Sequence, residues 1–124
     1  RLFHTRCPKV EAAVITGKNS HAHRQQAIKA MNQGQIKVLF ATRLAEEGLD
    51  IPRLSRLFLT CPIRSANKVT QMVGRTLRPY HGKPTPIIYD FVDDLVGLAE
   101  SQFHSRKIVA YEGLTIQKTA FGDN

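Results

Sequence analysis

The sequence predicts an α/β fold in three layers, a parallel sheet flanked by helices. Two observations carry this. Four short runs of continuous apolar residues read as strands buried on both faces, and segments of helical periodicity alternate with them. In such sheets the working residues gather in loops beyond the carboxyl ends of strands. That rule selects residues 16–18, 42–50, 61–67 and the region after Asp90.

Each element follows from local signals. EAAVIT, residues 11–16, is an apolar run stopped by Gly17, which suits a buried strand. Asn19 or Ser20 can cap the helix that follows. That helix runs to Gln33, with Ala27, Ile28 and Met31 at helical spacing and Gly34 to close it. IKVLFA, residues 36–41, is a second strand. TRLAEEG reads as a short helical turn ended by Gly48, and LDIP as a loop. RLFLT, residues 56–60, is a third strand, broken by Pro62. A helix over residues 66–78 stops at Pro79. RPYHGKPTP is a loop, and IIYDFV, residues 87–92, the fourth strand. Asp93 or Asp94 can cap a last helix running to Tyr111. The tail TIQKTAFGDN carries little signal, and no internal repeat is visible.

Composition narrows the class. A chain of 124 residues is one domain, and 42% apolar with 23% charged residues excludes a disordered segment. The net charge of +8 and a pI near 9.9 predict attraction to phosphate-rich partners or anionic surfaces. A generally basic surface is the plainer alternative. No apolar run approaches the roughly 20 residues of a membrane helix, and no stretch has signal-peptide form. Cys7 and Cys61 are too sparse for a disulfide framework or a zinc site. His21 and His23, two apart, point to different helix faces and form no ready metal pair. The expected setting is cytoplasmic. Arg1 opens the chain in mid-pattern, so a preceding N-terminal part is expected.

Three stretches could carry chemistry. ITGKNS tempts towards a phosphate loop, but Ala12 stands where a P-loop needs its first glycine and Asn19 where it needs Ser or Thr. The chain therefore lacks that device for ATP phosphates and magnesium. In ATRLAEEGLDIP, Thr42 and Arg43 sit where a strand ends and amides become free to grip a phosphate. Gly48 permits a close turn, and Asp50 can accept from sugar hydroxyls. A helix C-cap glycine and a turn aspartate would look the same. In QMVGRTLR, Val69, Met72, Val73, Thr76 and Leu77 form a core face, with Gln71, Arg75 and Arg78 together opposite. A plain amphipathic helix has that pattern too. Yet Gly74 costs about 1 kcal/mol in a helix interior, which suggests close approach by something or a packing need.

Taken together, these segments resemble the second, C-terminal RecA-like domain of superfamily 2 helicases. VLFATRLAEEGLDIP resembles the family's motif V, and QMVGRTLRP its motif VI. VITGKNSHAHR resembles the strand and helix start before motif V, with His21 and Arg24 in the places of a Gln-x-x-Arg element. RPYHGKPTPIIYDFVDD is similar to the tail of DNA-directed repair, phage and restriction-type members. The match spans residues 10–112 in the family's order, so residues 1–112 are expected to be a partial helicase domain and 113–124 a tail.

The resemblance implies roles. Arg75 and Arg78 would be arginine fingers, reaching across an interdomain cleft to the γ-phosphate of ATP. Gly48, Asp50 and Gln71 would serve the nucleotide: Asp50 on the ribose, Gly48 by letting the loop lie close, Gln71 by positioning. Thr16, Gly17, Lys18 and Thr42 would contact the nucleic-acid backbone, with Arg43 and Arg64 beside them. The implied cofactors are ATP and Mg, held mainly by a first lobe that this chain does not contain. The implied partners are DNA, with RNA as the alternative, and that N-terminal lobe.

Some positions depart from the pattern. Met72 stands where motif VI often has arginine, and Glu47 where the RNA-directed DEAD-box group usually has one, which tilts the reading towards DNA. The first strand of the family's domain, motif IV, is not in the sequence, leaving four strands where about five are expected. The expected function is the C-terminal lobe of an ATP-dependent helicase or translocase, inactive alone. A basic nucleic-acid-binding module without ATPase activity is the alternative, and a protein-interaction domain a blander one.

Overall fold

A computed structural model describes residues 2–42, 50–93 and 95–119. In chain order the elements are α1 (Leu2–Arg6), β1 (Ala12–Ile15), α2 (His21–Asn32), β2 (Val38–Ala41), β3 (Arg56–Leu59), α3 (Ala66–Thr76), β4 (Ile87–Asp90) and α4 (Gly97–Val109). The four strands and three longer helices are those the apolar runs and helical periodicity predict, each strand shorter than its run at one end or both. The five-residue α1 was not anticipated. Its Phe3 ring meets Phe40 of β2 edge-on at 5.2 Å.

All pairing is parallel. β1 lies on β2 from Ala12↔Val38 to Ile15↔Ala41, and β3 on β4 from Arg56↔Ile87 to Leu59↔Asp90. Among the described residues the two pairs do not bond to each other, so the predicted sheet is present as two halves. Burial on both faces is also not met. Val14 and Phe40 are register partners, and both are exposed. Phe58, 55% exposed, stacks on its partner Tyr89 at 4.5 Å with 5° between the rings. A continuous apolar run says that a strand forms; which faces are covered depends on distant segments.

The opposite face of β3 and β4 is the core side. Leu59, Val69, Val73, Ala110 and Tyr111 are buried together, with Leu57, Ile88 and Phe103 packed against them. α3 closes on α4 over this cluster. Within it lies an ionic network. The Arg106 guanidinium, 3% exposed, holds both oxygens of Asp90 (2.7 and 2.9 Å) and donates to the Ile63 carbonyl at 3.2 Å. The Tyr111 hydroxyl donates to Asp90 Oδ2. Burial works against the charge on Arg106, but the Asp90 carboxylate outweighs it and the guanidinium pKa rises. Asp90, at the end of β4, is thus committed to joining β4, the loop before α3, and α4.

The helix ends mostly follow their signals. Ser20, not Asn19, caps α2, its hydroxyl accepting from the His23 amide at 3.2 Å. At the other end Gly34 has φ 73°, and bonds from Gly34 N to Met31 O and from Gln35 N to Ala30 O complete a Schellman close. α4 departs from its prediction. It starts at Gly97 after an uncapping Val96, because Asp93 accepts from the Leu95 amide in a local turn. Asp94 lies outside the described residues.

Candidate functional site

The arginine-bearing helix α3 has Ser65 as its cap, the hydroxyl accepting from the Lys68 amide at 3.3 Å. Val69 and Thr76 are completely buried and Val73 nearly so, while Met72 packs at the edge. Leu77 departs from the predicted core face. The helix has ended there, and the side chain is exposed. Gln71 is exposed and Arg75 half-buried. Among the described residues neither side chain has a hydrogen-bond partner. A Cβ built on Gly74 would meet nothing within 4 Å, so the glycine serves no packing need among the described residues.

Arg78 is differently placed. Its NH1 donates to Asp50 Oδ1 at 2.8 Å, joining the two motif-like stretches, with 53% and 72% of the side chains exposed. An ion pair this wet contributes at most about 1 kcal/mol, so its meaning is geometric. The segment around Asp50 is pinned from two further sides. Asn32, the last residue of α2, donates from Nδ2 to the Asp50 carbonyl at 3.0 Å. The Lys83 ammonium donates to the carbonyls of Pro52 (3.1 Å), Thr76 (2.6 Å) and Arg78 (2.8 Å). Burial pushes the Lys83 pKa down. Ile51, between these contacts, is buried.

A second group sits elsewhere. The Thr42 amide donates to the Ile15 carbonyl at 3.1 Å, which sets Thr42 beside Thr16 at the carboxyl ends of β1 and β2. The Thr16–Ser20 turn is closed on itself. Asn19 Oδ1 accepts from the Thr16 amide and hydroxyl (2.6 and 3.0 Å), and the Lys18 amide donates to Thr16 Oγ1 at 3.3 Å. Arg24, in the first turns of α2, donates from Nε and NH2 to the Asn19 carbonyl. Gly17 and Lys18 are left exposed, as is Arg64 between β3 and α3.

The predicted site residues therefore fall into two groups. Thr16, Gly17, Lys18, Thr42 and Arg64 lie beyond the carboxyl ends of strands. Asp50 and Arg78 lie towards the amino ends, because α2 and α3 run back along the sheet and finish there. Gln71 and Arg75 sit between, on α3. Arg43 and Gly48 lie outside the described residues. The carboxyl-end rule thus selects the first group and, through the stretch 42–50, Asp50, but it misses Arg78. Sequence reasoning missed Asn32 and Lys83. The only signal for Lys83 is the turn glycine before it, Gly82, at φ 72°.

A cleft of about 450 Å³ opens near the amino ends of β2 and β3, lined by Lys37, Arg53, Arg56 and His81. Its guanidinium groups are turned onto the main chain: Arg53 to the Asn32 carbonyl, Arg56 to those of Ser55 and Thr85. Among the described residues no His, Cys, Asp or Glu cluster could hold a metal. No helix there is long and apolar enough to cross a membrane.

Comparison with known proteins bears on the family and the fold. Residues 1–80 match the model of the helicase conserved C-terminal domain. The ATP-dependent RNA helicase SrmB of Escherichia coli is 36% identical over 69 residues, covering 56% of this chain and 14% of that protein. The UvrABC system protein B of Metamycoplasma arthritidis is 26% identical over 105 residues, covering 81% of this chain and 16% of its own. The chain thus spans about a sixth or less of these relatives. The C-terminal domain of Saccharomyces cerevisiae Dbp5, solved with Gle1 and IP6, superposes with a TM-score of 0.62 at 19% identity, over 86% of this chain and 60% of that one. It shares the RecA-like fold.

Proposed function

Because the chain belongs to the helicase conserved C-terminal domain family, we propose that it is the second lobe of an ATP-dependent helicase or translocase acting on DNA. Arg75 and Arg78 are its arginine fingers, and Asp50, Gln71 and Gly48 its contribution to the nucleotide. The ATP phosphates and Mg are held by a partner lobe, since ITGKNS is not a P-loop. The residues present suit a phosphate approaching from outside. Arg75 has no side-chain partner among the described residues, and the Cβ position of Gly74 is open beside it. Planar guanidinium groups donate in pairs to spreading phosphoryl charge. Thr16, Lys18, Thr42, Arg43 and Arg64 take the nucleic-acid backbone. Glu47 and the RPYHGKPTPIIYDFVDD tail favour DNA over RNA. A cytoplasmic setting accords with free Cys7 and Cys61.

The observation that carries the reading is the Asp50–Arg78 bond, which joins one residue of each motif-like stretch near the amino ends of the strands, while Thr16, Lys18, Thr42 and Arg64 lie beyond the carboxyl ends. The test is ATP turnover by the protein carrying both lobes. Arg75→Ala should lower it by about 10³-fold or more and leave DNA affinity within a few-fold. Normal turnover by Arg75→Ala and by Arg78→Ala would sink the assignment. The 124-residue chain alone should not hydrolyse ATP.

A further inference from the structure

Lys83 lies outside both motif-like stretches, in a loop, yet its ammonium makes three hydrogen bonds that converge from both. Its acceptors are the carbonyls of Thr76 (2.6 Å), Arg78 (2.8 Å) and Pro52 (3.1 Å). An ammonium has three protons, and here each has an acceptor. Thr76 ends α3, directly after Arg75. Arg78 supplies the guanidinium that holds Asp50, and Pro52 stands two residues beyond Asp50. Carbonyls at a helix C-terminus lack intrahelical donors and attract cations. Lys83 satisfies one of them and in the same act ties the helix end to the neighbouring loop.

The ammonium is held in place from its own side. The Lys83 amide donates to the Tyr80 carbonyl at 3.1 Å, and Gly82 adopts φ 72°, a conformation side chains rarely accept. The result is a closed circuit. The side chains of Arg78 and Asp50 meet on one side, and the main chains of Arg78 and Pro52, two residues beyond Asp50, meet through Lys83 on the other. Besides the Lys83 bonds, the side-chain bond between the residues after α3 and the Asp50 segment is, among the described residues, the wet Arg78–Asp50 pair.

We infer that Lys83 is a positioning residue for Arg78, fixing the main chain that follows α3 against the Asp50 segment so that the Arg78 guanidinium meets the phosphate at one distance. This rests on the arginine-finger reading. The role depends on three bonds converging at one atom and not on charge alone. A guanidinium carries its donors in a planar fork and cannot bring three of them to that point.

The test is a kinetic cycle in the protein carrying both lobes, with ATP turnover measured at saturating DNA for wild type, Lys83→Met, Arg78→Ala and the double variant. Misplacing a catalytic group by about 1 Å costs on the order of 10²-fold. Lys83→Met should lower kcat by about 10- to 100-fold, with KM for ATP within about three-fold, and Lys83→Arg should not restore it. On the Arg78→Ala background Lys83→Met should cost no more than about two-fold, because it acts through a group already gone. A Lys83→Met protein with wild-type kcat, or losses that multiply in full in the double variant, overturns the inference. If Lys83→Met unfolds at the assay temperature, Lys83→Gln, with two amide donors, replaces it in the same cycle. Should Arg75→Ala and Arg78→Ala both keep wild-type turnover, the finger reading itself falls and takes this inference with it. That outcome is distinct from essential arginines beside a dispensable Lys83.

Discussion

Arg78 and Asp50, 28 residues apart in sequence, meet through a single 2.8 Å bond between NH1 and Oδ1. Among the described residues the other carboxylate oxygen and the rest of the guanidinium fork have no partner, leaving them for a third group. A nucleotide presenting a ribose to one and a phosphate to the other would enter an arrangement already assembled.

Asp50→Asn should therefore separate stability from binding. The exposed pair contributes about 1 kcal/mol at most, so the melting temperature should shift by no more than a few degrees. In the protein with both lobes, ATP should bind more weakly, and the preference for ATP over its 2′,3′-dideoxy analogue should shrink. Binding titrations with the two nucleotides check this; an unchanged preference would remove Asp50 from the ribose.

Gly74→Ala is predicted to act oppositely in two settings. The added methyl meets no atom within 4 Å, so the helix should gain about 1 kcal/mol, read by denaturant unfolding of the chain. With both lobes present, turnover should fall if, as proposed, a phosphate-bearing surface approaches Arg75, because the methyl stands beside it. A gain in stability without loss of turnover would mean that nothing comes close to Gly74.

The buried Asp90–Arg106–Tyr111 network should dominate stability. Arg106→Met leaves the Asp90 carboxylate buried and unpaired, at a cost of about 3–5 kcal/mol. Tyr111 adds a pH dependence. Burial first, then the Asp90 carboxylate, raises its pKa above the ordinary value of about 10. The folded state therefore holds the phenolic proton more tightly than the unfolded chain. That contribution is complete below about pH 10 and fades as pH rises beyond it. Tyr111→Phe should weaken the chain at neutral pH and flatten this alkaline decline, measured by urea unfolding between pH 8 and 11.

Lys18→Ala should weaken binding to single-stranded DNA without sequence preference and reduce the slope of log affinity on log salt by about one. An unchanged slope would mean that the exposed Lys18 ammonium does not reach a phosphate.

Legibility in the sequence followed the range of the forces involved. Strands, α2 and α3 were readable because apolar runs, the Ser20 and Gly34 signals and the Val69–Val73–Thr76 face act within a few residues. The start of α4 was not, because Asp93 spends its carboxylate on the nearby Leu95 amide. Covered and uncovered strand faces were not, since Val14 and Phe58 are chemically indistinguishable from core residues. Motif spacing singled out Arg78 and Asp50 separately, but not that they touch. Lys83 was invisible because its three acceptors are main-chain oxygens, which any residue type supplies.

The twelve residues of α2 span about 18 Å. Next to its first turn lies the Thr16–Ser20 bend, clasped by Arg24 through the Asn19 carbonyl; from its last residue Asn32 grips the Asp50 carbonyl. The helix is thus gripped at both ends. Were the bend to take the nucleic-acid backbone and Asp50 the nucleotide, as proposed, α2 would be the stretch of chain that spans the two.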